Sequence, residues 1–126
     1  MTDTRILYIE DNAENRLLVS RILEAEGYDV VEAVDGPSGL EAARSAGPDL
    51  ILLDIGLPKV DGYDLAERFR EMPALDRVPI LAVTANVMKG DRERTLAAGC
   101  DGYIPKPIDI DRLPLQIREA LRRARG

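Results

Sequence analysis

A chain of 126 residues accommodates one compact domain and leaves no room for a second of ordinary size. A formal charge of −6 argues against direct binding to nucleic acid, whose phosphates call for a basic face, while a 45% hydrophobic share suffices for a core. The lack of any histidine and the single cysteine, Cys100, exclude Ser-His-Asp and Cys-His nucleophilic sites, most zinc centres, a phosphohistidine carried by this chain and any intramolecular disulfide.

The first residues, MTDTRILYIEDNAENR, have no basic stretch leading into an uninterrupted apolar one, so no secretory leader is expected. No apolar run approaches membrane-spanning length, and a reducing cytosol is the expected compartment. The first predicted strand covers residues 5–10 (RILYIE). A helix then runs over 12–26, with Leu17, Leu18, Ile22 and Leu23 at helical spacing, and stops at Gly27. The second strand is 28–33 (YDVVEA), followed by a helix from about 38 to 46 that ends at Gly47-Pro48. The third strand is 49–54 (DLILLD), and the helix after it carries Leu65 and Phe69 four apart and stops before Pro73. The fourth strand, 79–84 (PILAVT), leads to a helix over about 88–98 that Gly99 closes. The fifth strand, 102–105 (GYIP), precedes a helix that aligns Leu113, Ile117 and Leu121, with Asp111 as its N-cap and Pro114 in its first turn.

Strand and helix alternate five times. That pattern specifies an α/β fold: a single doubly wound (βα)5 domain whose five-stranded parallel sheet has helices on both faces. Three of the strands are nearly unbroken Ile, Leu, Val and Ala, as strands covered on both faces require. Right-handed crossovers leave few topologies, and such sheets bind ligands at the carboxyl ends of their strands, beside the point where the strand order reverses.

The residues expected at those ends are Glu10-Asp11, Asp54, Thr84-Ala85 and Lys106-Pro107. Taken singly, each has an ordinary reading as a helix cap, a turn former, a strand-end hydroxyl or a solvated charge. Taken together they do not, because three neighbouring carboxylates disfavour one another's ionisation. A hard cation relieves that crowding, and an all-oxygen ligand set of this kind suits Mg²⁺. An ammonium and a hydroxyl beside the cation complete a pocket for a tetrahedral anion, which leaves Asp54 as the nucleophile for a phosphoryl group.

These residues carry a resemblance. The sequence resembles the response-regulator receiver family, the CheY-like superfamily, over essentially all of residues 1–126. The matching segments are YIEDN at 8–12, LILLDIGLPKVDG at 50–62, ILAVTA at 80–85, MKGDRERTLAAGCDGYIPKPID at 88–109 and the closing amphipathic helix. The stretch MKGD…PKPI is similar to DivK-type single-domain regulators and to the receivers of hybrid histidine kinases. The resemblance implies a flavodoxin-like strand order 2-1-3-4-5 and a phosphorylation-controlled switch of a two-component or phosphorelay system. It implies Asp54 as phosphoacceptor, with Mg²⁺ (Mn²⁺ substituting) bound directly by Asp11, Asp54 and the Gly56 backbone carbonyl, and by Glu10 through water. Thr84 is then the switch hydroxyl, Tyr103 the aromatic that turns inward, and Lys106 the group on a phosphoryl oxygen. Lys106–Pro107 is expected to be a cis peptide.

The implied partners are a sensor histidine kinase or histidine phosphotransferase as donor, and a downstream protein that reads the face of the fourth helix, fifth strand and fifth helix. No direct contact with nucleic acid or membrane is expected, and the assembly is a monomer or weak dimer. The chemistry implied is limited to the chain's own aspartyl phosphorylation and dephosphorylation, so it is not a turnover enzyme. An aspartyl-nucleophile phosphatase of the haloacid-dehalogenase type would carry a second Asp at position 56, which here is glycine. With the last helix ending near Gly126, a stand-alone regulator is expected; a receiver belonging to a hybrid kinase is the close alternative. Two departures from the family pattern, glycine at 56 and Asn86 two residues after Thr84, point to a short or moderate phosphoryl lifetime. Cys100 is expected to be a small buried hydrophobe. Met88 and Leu96 belong either to the core or to a signalling surface, and the terminal RRARG arginines suit the carboxyl end of a helix.

Overall fold

The computed structural model describes residues 4–57, 61–85 and 89–125. The five apolar segments form strands β1 (Arg5–Ile9), β2 (Asp29–Ala33), β3 (Leu50–Asp54), β4 (Ile80–Thr84) and β5 (Gly102–Pro105). They pair in parallel in the order β2-β1-β3-β4-β5, as the resemblance implied. The central strands β3 and β4 are buried along their whole length, whereas the edge strands β2 and β5 are partly open. Their sequences differ accordingly: LILLD and ILAVT inside, DVVEA and GYIP at the edges.

Helices α1 (Ala13–Ala25), α2 (Gly36–Ala46), α3 (Gly62–Arg70), α4 (Lys89–Ala97) and α5 (Leu113–Arg125) connect the strands, with a short 3-10 turn at Pro73–Leu75. Alternation along each strand divides the core in two. Ile6, Tyr8, Leu50, Leu52 and Val83 pack with Val19, Leu23, Leu113 and Ile117 of α1 and α5. Leu7, Ile9, Ile51, Leu53 and Ala82 pack with residues of α2 and α3, such as Ala43, Leu65 and Phe69. No helix among the described residues is long and apolar enough to cross a membrane.

Helix ends follow local chemistry. Asn12 caps α1, its side chain accepting from the Asn15 amide at 2.9 Å, and Gly27 and Gly99 take the positive φ expected where a helix stops. Most element ends lie one residue inside the sequence reading, and two helix starts differ in how they are capped. Helix α2 begins at Gly36 rather than near residue 38, because the Asp35 carboxylate takes the Ser38 amide at 2.9 Å while the Ser38 hydroxyl takes the Asp35 amide at 3.2 Å. At α5, Asp109 does the work expected of Asp111. Its side chain accepts from the Asp111 amide at 3.0 Å and its carbonyl from the Leu113 amide at 3.0 Å.

Candidate functional site

The carboxyl ends of β1, β3, β4 and β5 converge on one rim. Asp54, the last residue of β3, is only 2% exposed. The Lys106 ammonium donates to its Oδ1 at 2.8 Å, and the Gly56 amide donates to the same oxygen at 2.9 Å. Lys106 reaches there from the end of β5, where its backbone amide extends the ladder to the Thr84 carbonyl at 2.8 Å. The Lys106–Pro107 peptide is cis, as expected. Thr84 is buried at the end of β4. Tyr103 stands opposite Ala82 in the β4–β5 register, two positions before the Thr84–Pro105 pair, so its side chain shares the Thr84 face of the sheet. It is half-buried against the core on that side.

Glu10, Asp11 and Asp54 each bring one carboxylate oxygen within 4.8 Å of the others. Glu10 and Asp54 are buried and Asp11 is exposed. Burial first, and then hydrogen bonding and repulsion from Asp54, raise Glu10 from the ordinary carboxylate range to about 7, against the opposing pull of the Asn12 amide. Such a cluster of hard oxygen donors, with one carboxylate resisting ionisation, fits a divalent hard cation better than it fits its own charge. At Gly56 an added Cβ would lie 3.5 Å from Asp54 Oδ1, so the glycine leaves that carboxylate open on one side.

All of Glu10, Asp11, Asp54, Gly56, Thr84 and Lys106 thus gather at the rim, with Tyr103 one step below it. Sequence reasoning missed the supports beneath. Tyr8 lies two residues before Glu10 on the same face of β1, and its hydroxyl donates to Glu10 Oε1 at 3.3 Å. Arg16 of α1 donates to the Glu10 carbonyl at 2.8 Å and pairs with Glu32 at 3.8 Å, which anchors the turn between β1 and α1. Gly62 lets the start of α3 lie on the strand end, since a Cβ there would meet Ile55 Cα at 2.6 Å. The i to i+2 parity that links Tyr8 to Glu10 was readable in YIE. The reach of Arg16 across to β2 was not.

Of the remaining residues, Leu96 is 50% exposed on α4, which puts it on the surface. Asn86 and Met88 lie outside the described residues. Cys100 is buried, and burial, followed by the Asp101 charge, pushes its thiol up to about 12, as suits a small hydrophobe.

A family model described as the response regulator receiver domain matches residues 6–118. The polar-differentiation response regulator DivK of Brucella anthropi is 40% identical over 116 residues, spanning 92% of this chain and 94% of that protein. Among solved structures, chemotaxis protein CheY4 of Vibrio cholerae superposes with a TM-score of 0.90 at 26% identity, covering 94% of this chain and 99% of its own. The receiver domain of a sensor histidine kinase from Pseudomonas aeruginosa, solved with a magnesium ion coordinated in its active-site cleft, is 36% identical. It superposes with a TM-score of 0.81 over 95% of this chain and 98% of that one. The fold, the rim and these matches agree: the chain belongs to the response-regulator receiver domain family.

Proposed function

We propose that this domain is a phosphorylation switch that accepts a phosphoryl group onto Asp54 from the phosphohistidine of a histidine kinase or phosphotransferase. The observation that carries this reading is the Asp54 carboxylate, buried at a strand end inside an acidic triad and met by the Lys106 ammonium at 2.8 Å. Mg²⁺, with Mn²⁺ as substitute, would be held by Asp11, Asp54 and the Gly56 carbonyl, and through water by Glu10. Bound there, the cation supplies charge neutralisation for the rim carboxylates and the phosphoryl oxygens.

Asp54 provides the nucleophilic oxygen, and the donor's P–N bond breaks as the new O–P bond forms. Lys106 already sits on the carboxylate and is 30% exposed, so it can follow the charge onto a phosphoryl oxygen. Thr84 addresses another oxygen from the end of β4. Water later cleaves the same O–P bond, and the open side at Gly56 keeps the phosphoryl lifetime short or moderate. The chain carries out only these two reactions, both on its own Asp54.

The output follows from the face that Thr84 and Tyr103 share. Movement of Thr84 toward the phosphoryl group vacates space for Tyr103 to go from half-buried to buried, which biases two packings of the α4–β5–α5 face. A downstream protein would read that face, where Leu96 and Leu115 are 50% and 60% exposed. A cleft of about 350 Å³ runs between β5 and α5 toward the amino end of the sheet, with Tyr103, Ile104, Gln116 and Arg70 in its wall. The 36% identity to a histidine-kinase receiver supports a second reading, a receiver acting within a hybrid kinase. Acetyl phosphate with MgCl₂ is expected to phosphorylate the protein, and chelation by EDTA to prevent it. Undiminished labelling of Asp54→Asn would overturn the assignment.

A further inference from the structure

Tyr8 heads the fully buried side chains by volume, and its ring lies in the α1–α5 side of the core among Val19, Leu23, Leu52 and Ile117. Phenylalanine would fill that space with no polar atom to satisfy, and a buried hydroxyl without a partner is costly. The partner here is Glu10 Oε1 at 3.3 Å. Burial and the nearby carboxylates hold the phenol well above its ordinary range, so it remains a donor.

Glu10 is gripped from three directions. The Asn15 side-chain amide approaches Oε1 at 3.5 Å, and the Asn12 backbone amide donates to Oε2 at 3.2 Å. Asp11, by contrast, is exposed, and Asp54 is bound on Oδ1 by Lys106 and Gly56. Of the three carboxylates, Glu10 is therefore the one with donors on both oxygens among the described residues. A carboxylate held in this way is suited to orient water on a cation and poorly suited to swing in as a direct ligand.

We propose that Tyr8 is a positioning residue for the cation site, its hydroxyl, aided by the Asn15 amide, fixing the Glu10 carboxylate at the rim. This deepens the reading of the rim as a Mg²⁺ site and rests on it. Loss of the hydroxyl removes one donor to the ionised carboxylate and frees its rotamers, so Mg²⁺ binds less tightly while the hydrocarbon core stays filled.

The test is a double-mutant cycle on the full chain, with Mg²⁺ affinity read by titration calorimetry and folding by thermal melting of the metal-free protein. Tyr8→Phe is expected to raise the Mg²⁺ Kd by about three- to tenfold in the wild-type background and by less than about twofold in a Glu10→Gln background. Asn15→Ala, an exposed change on α1 that removes no core atom, is expected to give a smaller loss with the same dependence on Glu10. Equal Kd for Tyr8→Phe and wild type would overturn the proposal. An equal loss with and without Glu10 would also overturn it, since the hydroxyl would then act by general packing. A wild-type chain that takes up no Mg²⁺ would overturn the cation reading, and the proposal with it.

Discussion

The two ends of the sheet use charged side chains to opposite effect. At the amino end, Arg5 of β1 and Arg70, the last residue of α3, are surrounded by acceptors. The Arg5 side chain meets Asp29 at 2.9 Å and the Ala46 carbonyl, while its backbone amide donates to Asp49 at 2.8 Å. Arg70 donates to the carbonyls of Gly99 at 2.7 Å and Leu75 at 2.9 Å and pairs with Asp101 at 2.6 Å. Asp101 in turn takes the Ile80 amide at 2.8 Å, so α3, β4 and the turn before β5 are bound into one knot. At the carboxyl end, Glu10, Asp11 and Asp54 crowd together, and Lys106 is the cation paired with Asp54. One end has satisfied its charges and holds the fold. The other has left them in conflict, and a local conflict of this kind is a mark of function.

If that division is right, substitutions at the two ends should cross over. The largest effect is expected from Asp54→Asn, which should reduce phosphoryl uptake from acetyl phosphate by more than about 100-fold, because the nucleophile is gone. Its melting temperature should be unchanged or higher, since one of three repelling carboxylates becomes neutral. Phosphate-affinity gels and thermal melts on the same sample check both halves.

Arg70→Ala should do the reverse. It unbinds a partly buried guanidinium from two carbonyls and a carboxylate, and a loss of about 2–3 kcal/mol in urea-denaturation stability is expected. Phosphoryl uptake of the remaining folded protein should be unaffected. An Arg70→Ala protein that melts normally but fails to label would show that the amino end serves the phosphoryl site as well.

Glu10→Gln probes the charge conflict at the carboxyl end through pH. Glu10 is raised from its ordinary value to about 7, so the protonated form is the one the fold favours. That contribution is fully present below the ordinary carboxylate pKa and is lost as pH rises through about 7. The metal-free wild type should therefore lose stability between pH 5 and pH 8 relative to Glu10→Gln, by on the order of 1–2 kcal/mol. Saturating Mg²⁺ should flatten the difference in the wild type. A wild-type pH profile that parallels Glu10→Gln without metal would show that Glu10 is not under strain.

Much of this division is legible in the sequence. The runs LILLD and ILAVT announce strands covered on both faces, and chain alternation alone brings their carboxyl ends to one rim. Asp54 and Thr84 could be placed there because each ends its run, and Lys106 because it directly follows GYIP. Less legible were features decided by competition among near-equivalent neighbours. Asp109 and Asp111 are both good caps two residues apart, and the backbone turn chose Asp109. Gly36-Pro37 reads as a breaker, yet the Asp35–Ser38 capping box starts α2 there. The knot around Arg70 was invisible, because it depends on Gly99, where a Cβ would meet Arg70 Cγ at 2.6 Å. Tertiary reach of this kind leaves no periodic trace in sequence.

The smallest expected effect tests how far the openness at the carboxyl end matters. Gly56 has no positive φ to protect, and a Cβ there would make an ordinary contact 3.5 Å from Asp54 Oδ1, so Gly56→Ala should fold without strain. The added methyl would border the Asp54 carboxylate that carries the phosphoryl group and narrow the space through which water reaches it. Binding of the donor and the cation relies on other groups and should change little. The half-life of the aspartyl phosphate, followed by loss of label after the donor is removed, is expected to lengthen by about two- to threefold, a barrier change of about 0.4–0.7 kcal/mol. Gly56→Val should lengthen it further, because the obstruction grows while the contacts to Lys106 remain. If both variants decay at the wild-type rate, water reaches the phosphoryl group by another side. The open rim at Gly56 would then have no bearing on how long the switch stays on.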